Sequence, residues 1–293
     1  MNLERTDAVI GYFKSPQWKY FLEHVLNQSP ADVYHAHVYV RTNIHPEDLA
    51  EIMEAYLEHL GCPVNRSIDR CAHYPPAAGL HGILPSGKTF FDFFFLYDDE
   101  AVLSENTDMP LHSPLLEHEH SLLIWTAESM KQFARQFSFE PVGIREKEAI
   151  ENYFLSRHWK ETIRQILDPE VVHAHSYVNI NFDPVILEQY ATRVFRQMGW
   201  MVERVVPCTF DVHGEWRGKI SYVFGYPEKM YDIGWNYTPG ETIAPSREIW
   251  CLGTRGYDLW TKSMWNDCIN AGNYTHLTTE ELVAIKKRIL TEL

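Results

Sequence analysis

Hydrophobic and polar positions follow helical spacing in three segments of the chain. Over residues 45–61, "HPEDLAEIMEAYLEHLG", apolar residues recur every three or four positions, which predicts an amphipathic helix. Proline lies near its start and glycine at its end, as helix boundaries favour. Residues 183–199, "DPVILEQYATRVFRQMG", have the same pattern and predict a second helix. Residues 278–293 predict a terminal amphipathic helix, with Thr278 or Thr279 as its N-cap.

Short runs rich in β-branched and aromatic residues predict strands between these helices. Two of them are "VYHAHVYV" at 33–40 and "VVHAHSYV" at 171–178. Two more are "KTFFDFFFLY" at 88–97 and "KISYVFGY" at 219–226. Helices and strands mixed in this order predict an α+β fold.

Several segments of the first half match segments of the second half in the same order. The matching pairs are "YFKSPQWK" (12–19) with "YFLSRHWK" (153–160), the two His-Ala-His triplets, "HGILPSGK" (81–88) with "HGEWRGK" (213–219), and Trp125 with Trp250. Ordered matches of this kind indicate a duplication. We therefore expect two tandem ferredoxin-like repeats, at 1–135 and 136–293, which can pack sheet to sheet as a pseudo-dimer.

Composition and charge narrow the classes of partner. The formal net charge of −14 disfavours nucleic acid and anionic membranes, because both carry negative charge. No run of about 18 apolar residues occurs, so we expect no transmembrane helix. The N-terminus does not resemble a signal peptide, and the five cysteines form no C-x-x-C motif, which predicts a cytoplasmic protein with free thiols. The aromatic content of 14% suits aromatic-rich cores or a pocket for a flat aromatic substrate.

The His-Ala-His triplets are the main candidates for chemistry. Residues i and i+2 of a strand point to one face, so His35 and His37 can bind the same metal. A third histidine, His81, follows before a turn, and three imidazoles with open positions suit Fe(II), Zn(II) or Cu(II). The candidate metal ligands of the two repeats are His35, His37, His81, His173, His175 and His213.

The first repeat has a further His-x-His pair at His118 and His120. The second repeat has Arg247 and Glu248 near the corresponding position, which favours the first repeat as the metal-bearing copy. Two other interpretations stay open. A His-x-His pair on a strand is often only structural, and His118 and His120 also suit a solvated loop.

The segment "YHAHVYV" resembles the start of the DOPA 4,5-dioxygenase family, whose members are small ring-cleaving enzymes with a ferredoxin-like fold. The positions that carry the resemblance are His35, His37 and "GLHG" with His81, and then the second triplet and "DVHG" with His213. The resemblance implies a non-haem Fe(II) that binds a catechol and O₂ side by side. It also implies a histidine that moves a proton, with His81 or His120 as candidates and His213 in the second copy.

Three functions therefore compete at this level. The first is a metal-dependent oxygenase that acts on a small aromatic or catechol-like compound. The second is a cofactor-independent or haem-linked enzyme of the dimeric α+β-barrel type, in which a histidine of the sheet is an acid–base group or an axial ligand. The third is a non-catalytic small-molecule-binding protein. Each is compatible with a monomer or a homodimer, because two fused repeats can replace the usual dimer.

Overall fold

A computed structural model gives the fold of the chain, apart from several short segments. The residues outside its description are 1, 27–32, 63–65, 74–76, 84–89, 107–116, 120–121, 136, 200–201, 213–214, 225–229 and 247–256. Helices and strands both occur throughout the described residues, which confirms the α+β class. Among those residues, no helix has the length and apolar character needed to cross a membrane.

The chain divides into two compact units. Unit 1 contains the elements from the first helix to Thr126 together with Ser263–Leu293, and unit 2 contains Ala127–Lys262. This division differs from the predicted boundary between 135 and 136, because the C-terminal segment belongs with the first unit. Contacts between residues far apart in sequence decide such a division, and local patterns do not contain them.

Unit 1 is built from five helices, one π-helical turn and seven strands within the described residues. Their bounds are α1 (Leu3–Tyr12), α2 (Pro16–Phe21), the π-helical turn (Leu22–Leu26), β1 (Val33–Thr42), α3 (Pro46–His59), β2 (Arg66–His73), β3 (Ala77–Ile83), β4 (Phe90–Tyr97), β5 (Leu103–Glu105), β6 (Glu117–Glu119) and β7 (Leu122–Thr126), then α8 (Lys262–Ala271) and α9 (Thr279–Glu292).

Unit 2 repeats this order with its own helices and strands. Their bounds are α4 (Ala127–Ala134), α5 (Ile144–Leu155), α6 (Arg157–Ile166), β8 (Val171–Ile180), α7 (Pro184–Gln197), β9 (Val202–Val212), β10 (Glu215–Phe224), β11 (Met230–Tyr237), β12 (Ile243–Pro245) and β13 (Tyr257–Thr261). For β2, β3, β9 and β10 only the backbone is described.

The two sheets have corresponding strand orders. In unit 1 the order is β2-β3-β4-β1-β7-β6, with β5 also paired to β1. In unit 2 the order is β9-β10-β11-β8, and both β12 and β13 pair with β8. The central pairs β1–β4 and β8–β11 are parallel, and the other pairs are antiparallel.

The strand order corrects the predicted alignment of the two repeats. The strand that corresponds to β4 is β11, whereas residues 219–224 belong to β10, the counterpart of β3. Trp260 of β13 pairs with His173 as Trp125 of β7 pairs with His35. The residue matched from the sequence, Trp250, lies outside the described part of the chain.

The ferredoxin-like arrangement is not confirmed by this order. That fold places a second helix between its third and fourth strands. In each unit an additional strand, β2 or β9, follows the helix α3 or α7. Between β4 and β7, and between β11 and β13, the described residues contain short strands and no helix.

The core of unit 1 lies on one face of its sheet. Ala36, Val38 and Val40 of β1 alternate towards the helices and are fully buried. Trp18 of α2 stacks on Tyr56 of α3 at 5.4 Å between ring centroids, inside the same core. The histidines of β1 occupy the intervening positions, so they belong to the opposite face of the sheet.

The C-terminal helix α9 completes this core. Ile285 and Ile289 of α9 are buried in it, and Thr278 caps the helix as the sequence predicts. The Glu281 carboxylate accepts hydrogen bonds from the backbone N–H groups of Thr278 and Asn2. Both ends of the chain are therefore held in unit 1.

Candidate functional site

A histidine, an aspartate and a tyrosine meet on the face of the unit 1 sheet that is opposite its hydrophobic core. The Nε2 atom of His37 lies 2.8 Å from Oδ2 of Asp92, which is paired with it in register on the parallel strand β4. The Nδ1 atom of His37 lies 3.3 Å from the hydroxyl of Tyr39, two residues along β1. The Asp92 side chain is only 3% exposed and that of His37 is 18% exposed.

These contacts favour one tautomer of the neutral His37 ring. Burial, together with the negative charge of Asp92, raises the pKa of the Tyr39 hydroxyl, so that this group keeps its proton at neutral pH. With the hydroxyl assigned as donor to Nδ1, the Nε2–H group donates to the Asp92 carboxylate. This assignment places the lone pair of the ring on Nδ1.

Aromatic rings surround His37. The edge of its ring meets Phe94 at 5.0 Å between centroids, and Tyr39 stacks on Phe94 at 4.9 Å. Such rings supply apolar area and fixed geometry. The polar group of His37, Tyr39 and Asp92 is thus packed against the buried ring of Phe94.

A buried network fixes the backbone of Tyr39. The Nε2 group of Gln17 donates to the Tyr39 carbonyl at 3.0 Å, and the Tyr12 hydroxyl donates to the Gln17 Oε1 atom at 2.9 Å. The backbone N–H of Asn106 also donates to the Tyr39 carbonyl, and that of Gln17 donates to Glu105. Helix α2 and strand β5 therefore hold β1 where it presents His37 and Tyr39.

The backbone register extends the row that contains His37 and Asp92. His81 of β3 is paired with Asp92, and Asp69 of β2 is paired with His81. On the other side, Leu123 of β7 is paired with His37. Paired residues of neighbouring strands share a face, so His81, Asp92 and His37 belong to one row on the face opposite the core.

The structure describes some of the predicted site residues and not others. His35 lies in β1 and His118 in β6, but the side chains of His35, His81 and His118 are not described. His120 and His213 lie outside the described residues. Within the described part of the chain, no three His, Cys, Asp or Glu side chains form a metal-binding group.

The second His-Ala-His triplet lies in β8, at the position that the first has in β1. His175 is paired with Asp232 of β11, and His173 with Met230, although neither histidine side chain is described. His81 lies inside β3, whereas His213 lies outside the described residues. The predicted match of His81 with His213 stays a prediction.

Asp92 and Tyr39 are the functional candidates that the sequence interpretation did not select. Asp92 is the one acidic residue in "FFDFFFLY", and an aspartate within a buried apolar strand is rare unless it has a partner. This isolated acidic residue in an apolar strand is the feature of the sequence that indicates a site. Tyr39 has the same two-residue spacing from His37 that His37 has from His35, which places it on the same face.

Comparison of the chain with models of known protein families gives no match. Comparison with curated protein sequences gives no match either.

Proposed function

We propose that the chain is a metal-dependent oxygenase that acts on a small aromatic or catechol-like compound, with Fe(II) at His37 in unit 1. The resemblance of "YHAHVYV" to the DOPA 4,5-dioxygenase family suggests the metal and the substrate class. A tandem origin of the two units is part of this proposal and is supported by their matching strand orders. Their ferredoxin-like origin stays a prediction. A cytoplasmic location also belongs to it and is supported by the free thiol of Cys62.

The bond between His37 and Asp92 carries the proposal. A histidine that binds a metal typically donates its other N–H group to a carboxylate, which fixes the ring and raises the basicity of the ligating nitrogen. In unit 1 the Nε2 atom of His37 contacts Asp92 and the Nδ1 atom contacts the Tyr39 hydroxyl, so a metal would bind Nδ1 in place of that hydroxyl. The Tyr39 hydroxyl, 3.3 Å from Nδ1, marks where a ligand oxygen would lie, and this long hydrogen bond costs little to replace.

The residues at neighbouring positions fit a site of this kind. His35 is on the same face of β1, and His81 is in the row of Asp92 and His37. When bound, Fe(II) would supply open coordination positions for O₂ and for the oxygens of a catechol. Tyr39 and Phe94 would orient the aromatic ring and exclude water, while Asp92 keeps the proton on Nε2 of His37.

The test compares His37→Gln with His59→Gln. Glutamine at position 37 can still offer an N–H group to buried Asp92, which alanine cannot, so it removes the ligating nitrogen with less cost in stability. His59 lies exposed at the end of α3 and is the matched control. We expect wild type and His59→Gln to bind Fe(II) and consume O₂ with catechols, and His37→Gln to lose both. Folded wild-type protein that takes up no iron, even anaerobically, would contradict the proposal.

A second candidate is an acid–base enzyme without a metal, and the hydrogen bond from Tyr39 to His37 favours it. Tyr39, His37 and Asp92 form a chain in which Nδ1 can accept a proton and Asp92 stabilises the imidazolium. This candidate predicts that protein freed of metal still converts an aromatic substrate, and that Tyr39→Phe lowers the rate. A protein that binds such compounds but converts none of them would be the non-catalytic binding protein.

A further inference from the structure

We propose that unit 2 carries a second site, a divalent-cation site at the row formed by Asp232, His175 and Asp258. These residues lie on three neighbouring strands, β11, β8 and β13, and are paired with one another in register. The proposal goes beyond the oxygenase and does not depend on it, because it rests on the register of unit 2 and on the contact seen in unit 1.

The contact between His37 and Asp92 gives the geometry that this register allows. In unit 1 a parallel pair with His37 opposite Asp92 brings imidazole nitrogen and carboxylate oxygen to 2.8 Å. In unit 2 the parallel pair β8–β11 has His175 opposite Asp232. The same pairing type and the same two residue types therefore recur at the same place.

The duplication has kept these residues while most of their neighbours changed. Strands β4 and β11, "FFDFFFLY" and "MYDIGWNY", share only the aspartate and the final tyrosine. Strands β1 and β8 share both histidines and the tyrosine two positions beyond, Tyr39 or Tyr177. The irregular register beside the first histidine recurs as well, between Val33 and His35 in unit 1 and between Val171 and His173 in unit 2. A purely structural role of the face opposite the core would not single out these polar positions.

The row of His37 and Asp92 in unit 1 and the row of His175 and Asp232 in unit 2 differ in the residues on either side of these pairs. This difference determines which metal ion each row would favour. Leu123 is opposite His37, whereas Asp258 is opposite His175. His81 is opposite Asp92, whereas Ser221 is opposite Asp232. Unit 2 thus exchanges an imidazole for a hydroxyl and gains a carboxylate.

This exchange favours a harder cation in unit 2. Neighbouring strands lie about 4.8 Å apart, and His175 is paired with an aspartate on each side. The three residues are therefore close enough along the row to bind one metal ion. Carboxylate and hydroxyl oxygens suit Mn²⁺ or Mg²⁺, whereas imidazole-rich sets suit Fe, Zn or Cu.

The experiment is a titration of the full chain with Mn²⁺, in which electron paramagnetic resonance measures the free ion. The variants are Asp258→Asn and His175→Gln, with Asp258→Leu added because it copies the residue of unit 1 and can fold if the asparagine variant does not. Glu241→Gln removes an exposed charge from the same unit and is the matched control. Circular dichroism shows which variants are folded.

We expect the Asp258 and His175 variants to weaken Mn²⁺ binding about tenfold or more, while Glu241→Gln binds as wild type does. Folded wild type that binds no Mn²⁺ would overturn the proposal. So would wild-type affinity in a folded Asp258 variant, or an equal loss in Glu241→Gln. Failure of the proposed oxygenase function has a different result: the wild-type protein would show no iron binding and no O₂ uptake that His37→Gln removes.

Discussion

Replacing Asp92 by asparagine is the sharpest perturbation of the candidate site. The change keeps the size of the side chain but removes the charge from a carboxylate that is 3% exposed and 2.8 Å from Nε2 of His37. A hydrogen bond to a charged group contributes about 1.5–3 kcal/mol. An amide can also present its N–H group to the ring, which would favour the tautomer with the proton on Nδ1.

The expected effect of Asp92→Asn on function follows from the role of such carboxylates. Loss of the group that orients a ligating histidine lowers metal affinity or activity by about 10–100-fold, or about 1.4–2.7 kcal/mol. We therefore expect iron affinity and kcat/KM with a catechol to fall by that factor, while urea unfolding shows a loss of no more than about 3 kcal/mol. Asp99→Asn, an exposed position of the same unit, is the control. Wild-type iron affinity and kcat/KM in Asp92→Asn would refute the reasoning.

Three further predictions concern other parts of the chain. Tyr39→Phe removes the hydroxyl at Nδ1 of His37, so the affinity of the protein for Fe(II) should stay the same or rise. If the protein is instead a metal-free acid–base enzyme, its kcat should fall. A lower affinity for Fe(II) would contradict the metal site. Gly234→Ala places a Cβ 2.8 Å from the ring of Tyr177 and should lower the free energy of unfolding in urea by about 1–3 kcal/mol. An unchanged free energy of unfolding would show that the ring moves freely. Hydrogen bonds from the start of α9 lower the pKa of Glu281, so its stabilisation exists above about pH 4.3 and disappears as the pH falls through its lowered pKa. Glu281→Gln should thus cost about 1 kcal/mol at pH 7, and little in acid; an equal cost at both pH values would contradict the linkage.

The helices were predictable because their signals are local. The segments 45–61 and 183–199 contain α3 (Pro46–His59) and α7 (Pro184–Gln197), with proline at the first turn of each. Helix α9 begins after Thr278, whose side chain accepts a hydrogen bond from the Glu281 backbone. Apolar spacing, a cap and a proline act within a few residues of one another, so the sequence alone contains them.

The pairing of strands was less predictable because it depends on distant residues. The match of "HGILPSGK" with "HGEWRGK" aligned the aromatic runs that follow these segments, so it paired β4 with the counterpart of β3. Neither run contains a signal for the strand beside which it pairs. The same limitation applies to the C-terminal segment, whose packing against α1 and α3 no local pattern specifies.

The candidate site was predictable in its histidines and not in their partners. The triplet in "VYHAHVYV" identified His37, and the spacing of two placed it on one face with His35 and Tyr39. Asp92 lies 55 positions further along the chain, and only the parallel pairing of β1 with β4 brings it to His37. A lone acid in an apolar strand indicates that a partner exists, but it does not say which residue is that partner.

The central claim is that His37 offers Nδ1 to a metal while Asp92 holds the proton on Nε2. Titration of ¹⁵N-labelled protein with Zn²⁺, observed by NMR of the imidazole nitrogens and assigned with His37→Gln, tests it most directly. The account predicts that Zn²⁺ shifts the Nδ1 resonance of His37 and leaves the Nε2 proton in place. A His37 ring that does not respond to Zn²⁺, or one that loses its Nε2 proton while Nδ1 is unchanged, would contradict it.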